Sequence, residues 1–114
     1  MRKKAFRLSP DDIRDLAPGR GACFATDHIT VEGKPVGYMY REAPDSTAEY
    51  LDSGWRFFSG HESQDYVDDP ENTMIYDVNT IANYDPAIIK LLDAPPGSQF
   101  ERDAGSDSFR EVVE

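Results

Sequence analysis

The sequence predicts an α+β fold: a single domain with a mainly antiparallel β-sheet and short helices packed on one face. Three observations lead there. Short runs with a period of two, such as Val36–Arg41 and Gly54–Ser59, read as strands with distinct faces. The pairs Ser9–Pro10 and Asp85–Pro86 read as helix starts, with a capping side chain before a proline and apolar residues following at helical spacing. These elements do not alternate as β-α-β units, so a doubly wound parallel sheet is not expected. The 114 residues suit one domain able to bury a core without disulfides or metals.

Taken in order, residues 1–20 are expected to form a basic N-terminal arm and a short helix, and residues 21–114 the α+β domain. The helix starts at Ser9–Pro10–Asp11–Asp12, places Ile13, Leu16 and Ala17 on one face, and stops at Pro18–Gly19. Gly21–Thr26 reads as a buried strand. Ile29–Glu32, the turn Gly33–Lys34 and Pro35–Arg41 read as a β-hairpin. Gly54–Ser59 is the next strand, with Trp55 and Phe57 on one face and Arg56 and Phe58 on the other. His61–Asn72 is an acidic loop or frayed helical turn closed by Asp69–Pro70. Thr73–Tyr76 is a short strand, and Asp77 caps a brief helix that turns Val78, Ile81 and Ala82 inward. A second helix, Pro86–Asp93, buries Ile88, Leu91 and Leu92 and ends at Pro95–Pro96–Gly97. Ser98–Arg102 and Phe109–Val113 complete the sheet.

The net charge of -10 is unevenly distributed. Residues 1–20 hold six basic and three acidic residues, a net of +3; the rest hold six basic and nineteen acidic, a net of -13. Such a body repels nucleic-acid backbones and anionic membrane surfaces, so neither is an expected partner. A basic protein partner is the expected one. Between Glu62 and Asp85 lie seven acidic residues and no Lys or Arg. From this segment and the adjacent strand come the candidate partner-binding residues: Trp55, Glu62, Asp65, Asp68, Asp69 and Glu71. The bland alternative is a solvated surface with no partner.

Catalytic, cofactor and metal sites have no positive signal. His28 and His61 lack ligand-spaced companions, and His28 reads as an exposed turn residue. Asp65–Asn72 is rich in oxygen donors but lacks the spacing and glycine of a calcium loop. No nucleophile motif or phosphate loop occurs. The lone Cys23 sits in the apolar run Ala22–Ala25 and reads as a buried small hydrophobe. One cysteine makes no internal disulfide, and no run approaches a membrane span, so a cytoplasmic location is expected. Asn79–Pro86 reads as capping chemistry. The alternative is that Asn79, Asn83 and Tyr84 line a recognition surface with Trp55.

Three ordered stretches carry a resemblance: Gly33–Glu42, Asp52–Gly60 and Ile75–Pro86, followed by Pro96–Arg102. Together they resemble a bacterial domain family first catalogued as a domain of unknown function and later grouped with immunity proteins of polymorphic toxin systems, as family thirty-three. The likeness spans roughly residues 21–113. It implies a small cytoplasmic, non-catalytic protein that binds a cognate toxin and blocks it. It supplies no catalytic residues. The other reading is a domain that binds a small ligand or an endogenous protein with no toxin role.

Overall fold

The computed structural model describes residues 4–112. Among them, six strands form one mixed sheet: β1 (Ala22–Thr26), β2 (Tyr38–Arg41), β3 (Asp52–Phe58), β4 (Thr73–Asp77), β5 (Gln99–Arg102) and β6 (Phe109–Glu111). Their spatial order is β4-β1-β3-β2-β5-β6. All neighbours are antiparallel except β1 and β3, which run parallel. Three short helices, α1 (Asp27–Thr30), α2 (Gln64–Asp68) and α3 (Val78–Tyr84), accompany 3-10 turns at Pro10–Asp12, Pro70–Asn72 and Pro86–Leu91. The class is α+β, as the sequence predicts.

The period-two pattern of the strands sorts their side chains. Cys23, Ala25, Met39, Trp55, Phe57 and Phe100 point to one face, where α3 and the Pro86–Leu91 turn cover them with Val78, Ile81, Ala82, Ile88 and Leu92. Burying a large apolar side chain here is worth about 1.5–3 kcal/mol each, which makes this layer the main source of stability. Trp55 is 1% exposed, and its indole N–H donates to the Leu92 carbonyl at 3.3 Å. Cys23 is buried among these residues, and burial pushes its thiol well above its ordinary range.

The helices stand where their caps put them. The Asp77 carboxylate accepts from Asn79 N at 2.8 Å and starts α3. The Asp85 carboxylate accepts from Ala87 N at 3.2 Å and from Val36 N at 2.9 Å, and it is ion-paired to Arg102. One aspartate thus joins the end of α3 to the approach to β2 and to β5. Gly37 lies at that approach, where a Cβ would collide with the Ser59 carbonyl, so only glycine lets the two chains pass.

Three expectations need correction. No helix follows Ser9: only the turn Pro10–Asp12 forms, and Ile13 is already extended. Ile29–Glu32 is not a hairpin arm. Asp27–Thr30 is a helical turn that buries Ile29 and Thr30, and Gly33 at φ 76° ends it. Burial of Ile29 overrides the strand preference of its β-branched neighbours, and β2 pairs with β3 and β5 instead. The segment after Pro86 is a 3-10 turn ending at Leu91, not an α-helix to Asp93.

The missing first helix has a physical cause in α3. Asn79 Oδ1 accepts from Leu16 N and Ala17 N, both at 2.8 Å, and its Nδ2 donates to the Arg14 carbonyl at 2.8 Å. Asn83 Oδ1 accepts from Arg14 N at 2.9 Å, and the Tyr84 hydroxyl accepts from Leu8 N at 3.1 Å. Two asparagines one helical turn apart therefore staple residues 14–17 in a non-helical form, with Leu16 N also turned back on the Arg14 carbonyl. Asn79→Ala leaves the Ala17 amide without its acceptor, while Leu16 N keeps the Arg14 carbonyl at 3.0 Å, so we expect a loss of about 1–2 kcal/mol in chemical denaturation and faster exchange of the Ala17 amide. A change of only a few tenths of that energy would contradict the staple.

Candidate partner-binding surface

The face of the sheet opposite α3 carries Phe24, Arg56 and a cluster of Tyr38, Tyr40 and Phe58. Tyr40 stacks on Phe58 with centroids 5.8 Å apart. The Arg56 guanidinium lies 4.5 Å above Phe24 and pairs with Asp52 at 3.0 Å and with Glu42 at 3.3 Å. Asp52 also accepts from Asp45 N and Gly54 N, and the Arg56 bond together with these holds its carboxyl far below the ordinary range. Residues four apart on a regular strand lie about 13 Å apart, so spacing alone does not mark this pair; the register of β3 on β1 is irregular here, with Ala22 facing Asp52 and Phe24 facing Arg56.

A groove of about 630 Å³ opens on this face. Tyr38, Tyr40, Phe58 and Val67 give it an apolar lining, and Glu101 and Asp103 stand at its polar side.

From the end of β3 the chain enters the acidic segment through a polar anchor. The Glu62 carboxylate accepts from the Thr26 hydroxyl at 2.5 Å, from Ser59 N at 2.8 Å and from Gly60 N at 3.0 Å. Ser59 Oγ accepts from His61 N at 3.1 Å and is hydrogen-bonded to His28 Nδ1 at 2.7 Å. His28 in turn packs against Tyr66 of α2, with ring centroids 4.4 Å apart. Burial, then the carboxylates of Asp27, Glu32 and Glu62, push the Tyr66 phenol up to about 12.

Beyond the anchor, each turn is capped. Ser63 Oγ accepts from Tyr66 N at 3.1 Å to start α2, and Asp69 Oδ1 accepts from Glu71 N at 3.0 Å to start the Pro70–Asn72 turn. Asn72 Nδ2 closes the loop on the Tyr66 carbonyl at 2.9 Å. Lys4 ties the outside down, donating to Asp27 at 2.7 Å and to the Glu71 carbonyl at 2.6 Å.

The six candidate contact residues are divided by this arrangement. Asp65, Asp68, Asp69 and Glu71 are exposed along α2 and the turn after it. Trp55 and Glu62 are not on the surface and cannot meet a partner in this conformation. Trp55 is core, and the Glu62 side chain is 3% exposed because the Thr26 and Ser59 donors draw it inward. His28 also departs from expectation: its side chain is 12% exposed and sits inside the anchor. Asn79, Asn83 and Tyr84 hold the N-terminal segment, as described above. Among the described residues, no three His, Cys, Asp or Glu side chains gather as metal ligands, and no helix is long and apolar enough to cross a membrane.

The anchor predicts a pH effect. Burial acts to raise the Glu62 carboxyl, but the Thr26 and Ser59 hydrogen bonds outweigh it and hold the folded value below the ordinary 4.5. A depressed carboxyl adds stability that is present above the unfolded value and lost as pH falls through the folded one. Urea unfolding between about pH 7 and pH 3 should therefore show a loss below roughly pH 4.5 that Glu62→Gln lacks, the variant being less stable at neutral pH. Parallel pH profiles would refute this role for Glu62.

The family described as "Immunity protein Imm33 domain" matches residues 23–113. No curated protein and no solved structure shows significant similarity to the chain. The match contains β1 from Cys23 onward, the other five strands, the anchor, the acidic segment and α3 with its two asparagines, and covers most of the chain. The chain belongs to the Imm33 family of immunity protein domains.

Proposed function

We propose that this chain neutralises a cognate bacterial toxin by occlusion, binding it through the acidic surface formed by Asp65, Asp68, Asp69 and Glu71. The observation that carries this reading is the segment's construction: exposed carboxylates on a backbone fixed by capped turns and a buried anchor. A rigid surface of one sign speeds encounter with the opposite sign and loses little ordering entropy on binding. The partner is a basic protein, such as a nuclease whose own substrate is anionic. Its Lys and Arg side chains would be covered before they reach that substrate. The chain acts in the cytoplasm and performs no chemistry of its own; binding alone does the work.

The test pairs the chain with the product of the gene adjoining its own, taken as the candidate toxin and called the effector domain below. Co-expression should restore growth, and the purified proteins should form a stable complex. Reversing Asp65, Asp68 and Asp69 to Lys together should slow association at low salt by about tenfold or more, because long-range attraction becomes repulsion. The fold should survive, since only Asp69 among the three caps a turn. Unchanged association in this variant would remove the acidic surface from the mechanism. Failure of the wild-type chain to bind or protect would remove the toxin-blocking role.

A further inference from the structure

The two edges of the sheet are built differently. At the β6 edge, a strand of only three residues carries Arg110, whose guanidinium is clamped by Glu101 and, at 2.5 Å, by Asp103. The β4 edge is Thr73–Met74–Ile75–Tyr76–Asp77, with no Lys, Arg, Pro or Gly. It pairs with β1 in unbroken register over all five residues, so no bulge twists it away. Lysine, proline and bulges are devices that ordinarily stop a strand edge from accepting another strand, and β4 has none of these three; its one charge is Asp77, at its end.

Its main chain is open. Val78 N donates to the Gly21 carbonyl at 2.9 Å, which sets the alternation along the antiparallel ladder. Met74 and Tyr76 therefore bond to β1, while the peptide groups of Thr73, Ile75 and Asp77 face outward. The Thr73 N–H is taken by the Pro70 carbonyl. The Thr73 carbonyl, both peptide groups of Ile75 and the Asp77 N–H remain, and among the described residues no loop or turn backbone bonds to them. The side chains add apolar surface, with Met74 40% and Ile75 47% exposed on opposite faces of the strand.

We propose that the β4 edge takes up a β-strand of the toxin, which extends the sheet by main-chain pairing. The proposal rests on the toxin-binding reading above and specifies its geometry. Charge selects the occupant. Asp68, Asp69 and Glu71 lead into β4 and Asp77 ends it. A second copy of the chain, paired antiparallel about Ile75, would set each acidic lead-in beside the other copy's Asp77, on two molecules of net charge -10. A strand with apolar residues at its centre and Lys or Arg at its ends meets the same edge with attraction. Main-chain bonds would give affinity, and the flanking carboxylates would give register.

Amide hydrogen exchange on the wild-type chain, alone and bound to the neighbouring gene's effector domain, tests this directly. The Ile75 and Asp77 amides should slow by about tenfold or more in the complex, as amides entering a ladder do. Ile75→Pro removes an outward N–H while sparing the β1 ladder, and should weaken binding by about tenfold or more. Where that variant does not fold, the wild-type exchange data decide alone. A complex whose Ile75 and Asp77 amides exchange as in the free chain overturns edge pairing and leaves the toxin-binding reading standing. Absence of any complex overturns both. Protection of these amides in the chain alone, with a dimer in sedimentation, would give the edge to a second copy and overturn the proposal.

Discussion

The parallel pairing of β1 with β3 is the constraint on which the rest of the molecule depends. Parallel neighbours cannot be joined by a tight turn, so a long connection must separate Thr26 at the end of β1 from Asp52 at the start of β3. That excursion supplies α1 and β2. More important, parallel strands end on the same side. Thr26 at the end of β1 and His28 just past it come beside Ser59, just past β3, and the space between them receives the Glu62 carboxylate. An antiparallel arrangement would send these groups to opposite ends of the sheet and leave the acidic segment without a foundation.

The carboxylates of this acidic chain fall into two populations with different work. Asp52, Glu62 and Asp85 are turned inward, each meeting backbone N–H donors together with an arginine or a hydroxyl. Buried charge is tolerated there because every acceptor is met, and no buried side-chain N or O lacks a partner among the described residues. Asp65, Asp68, Asp69 and Glu71 are exposed at the surface. The inward group shapes the backbone that displays the outward group.

Much of the fold was legible in the sequence. The strands centred on Trp55 and Phe57, the cap-and-proline start at Asp85–Pro86 and the inward face of Val78, Ile81 and Ala82 follow from local rules, and the structure has them. What local rules missed was set by distant partners. Ser9–Pro10–Asp11–Asp12 has every mark of a helix start, yet Asn79 and Asn83, more than sixty residues away, bond the following backbone in a non-helical form. Ile29–Val31 has strand residues, yet Ile29 is worth more as a plug in the core beside β1. The candidate surface was half legible. Charge density marks Asp65 to Glu71 as a face, but nothing local distinguishes Glu62, three residues away, as a buried acceptor. Trp55 is ambiguous for a similar reason: an aromatic residue in a strand serves a core or an interface equally well until its neighbours are known.

An acidic surface on a fixed backbone has one signature that shape alone would not produce. The most direct measurement is the association rate of the wild-type chain with the effector domain across a series of ionic strengths. Steering by the outward carboxylates predicts a steep fall in association rate as salt rises, with dissociation changing little. A rate independent of salt would contradict the central claim, since the charge of this chain would then contribute nothing to recognition.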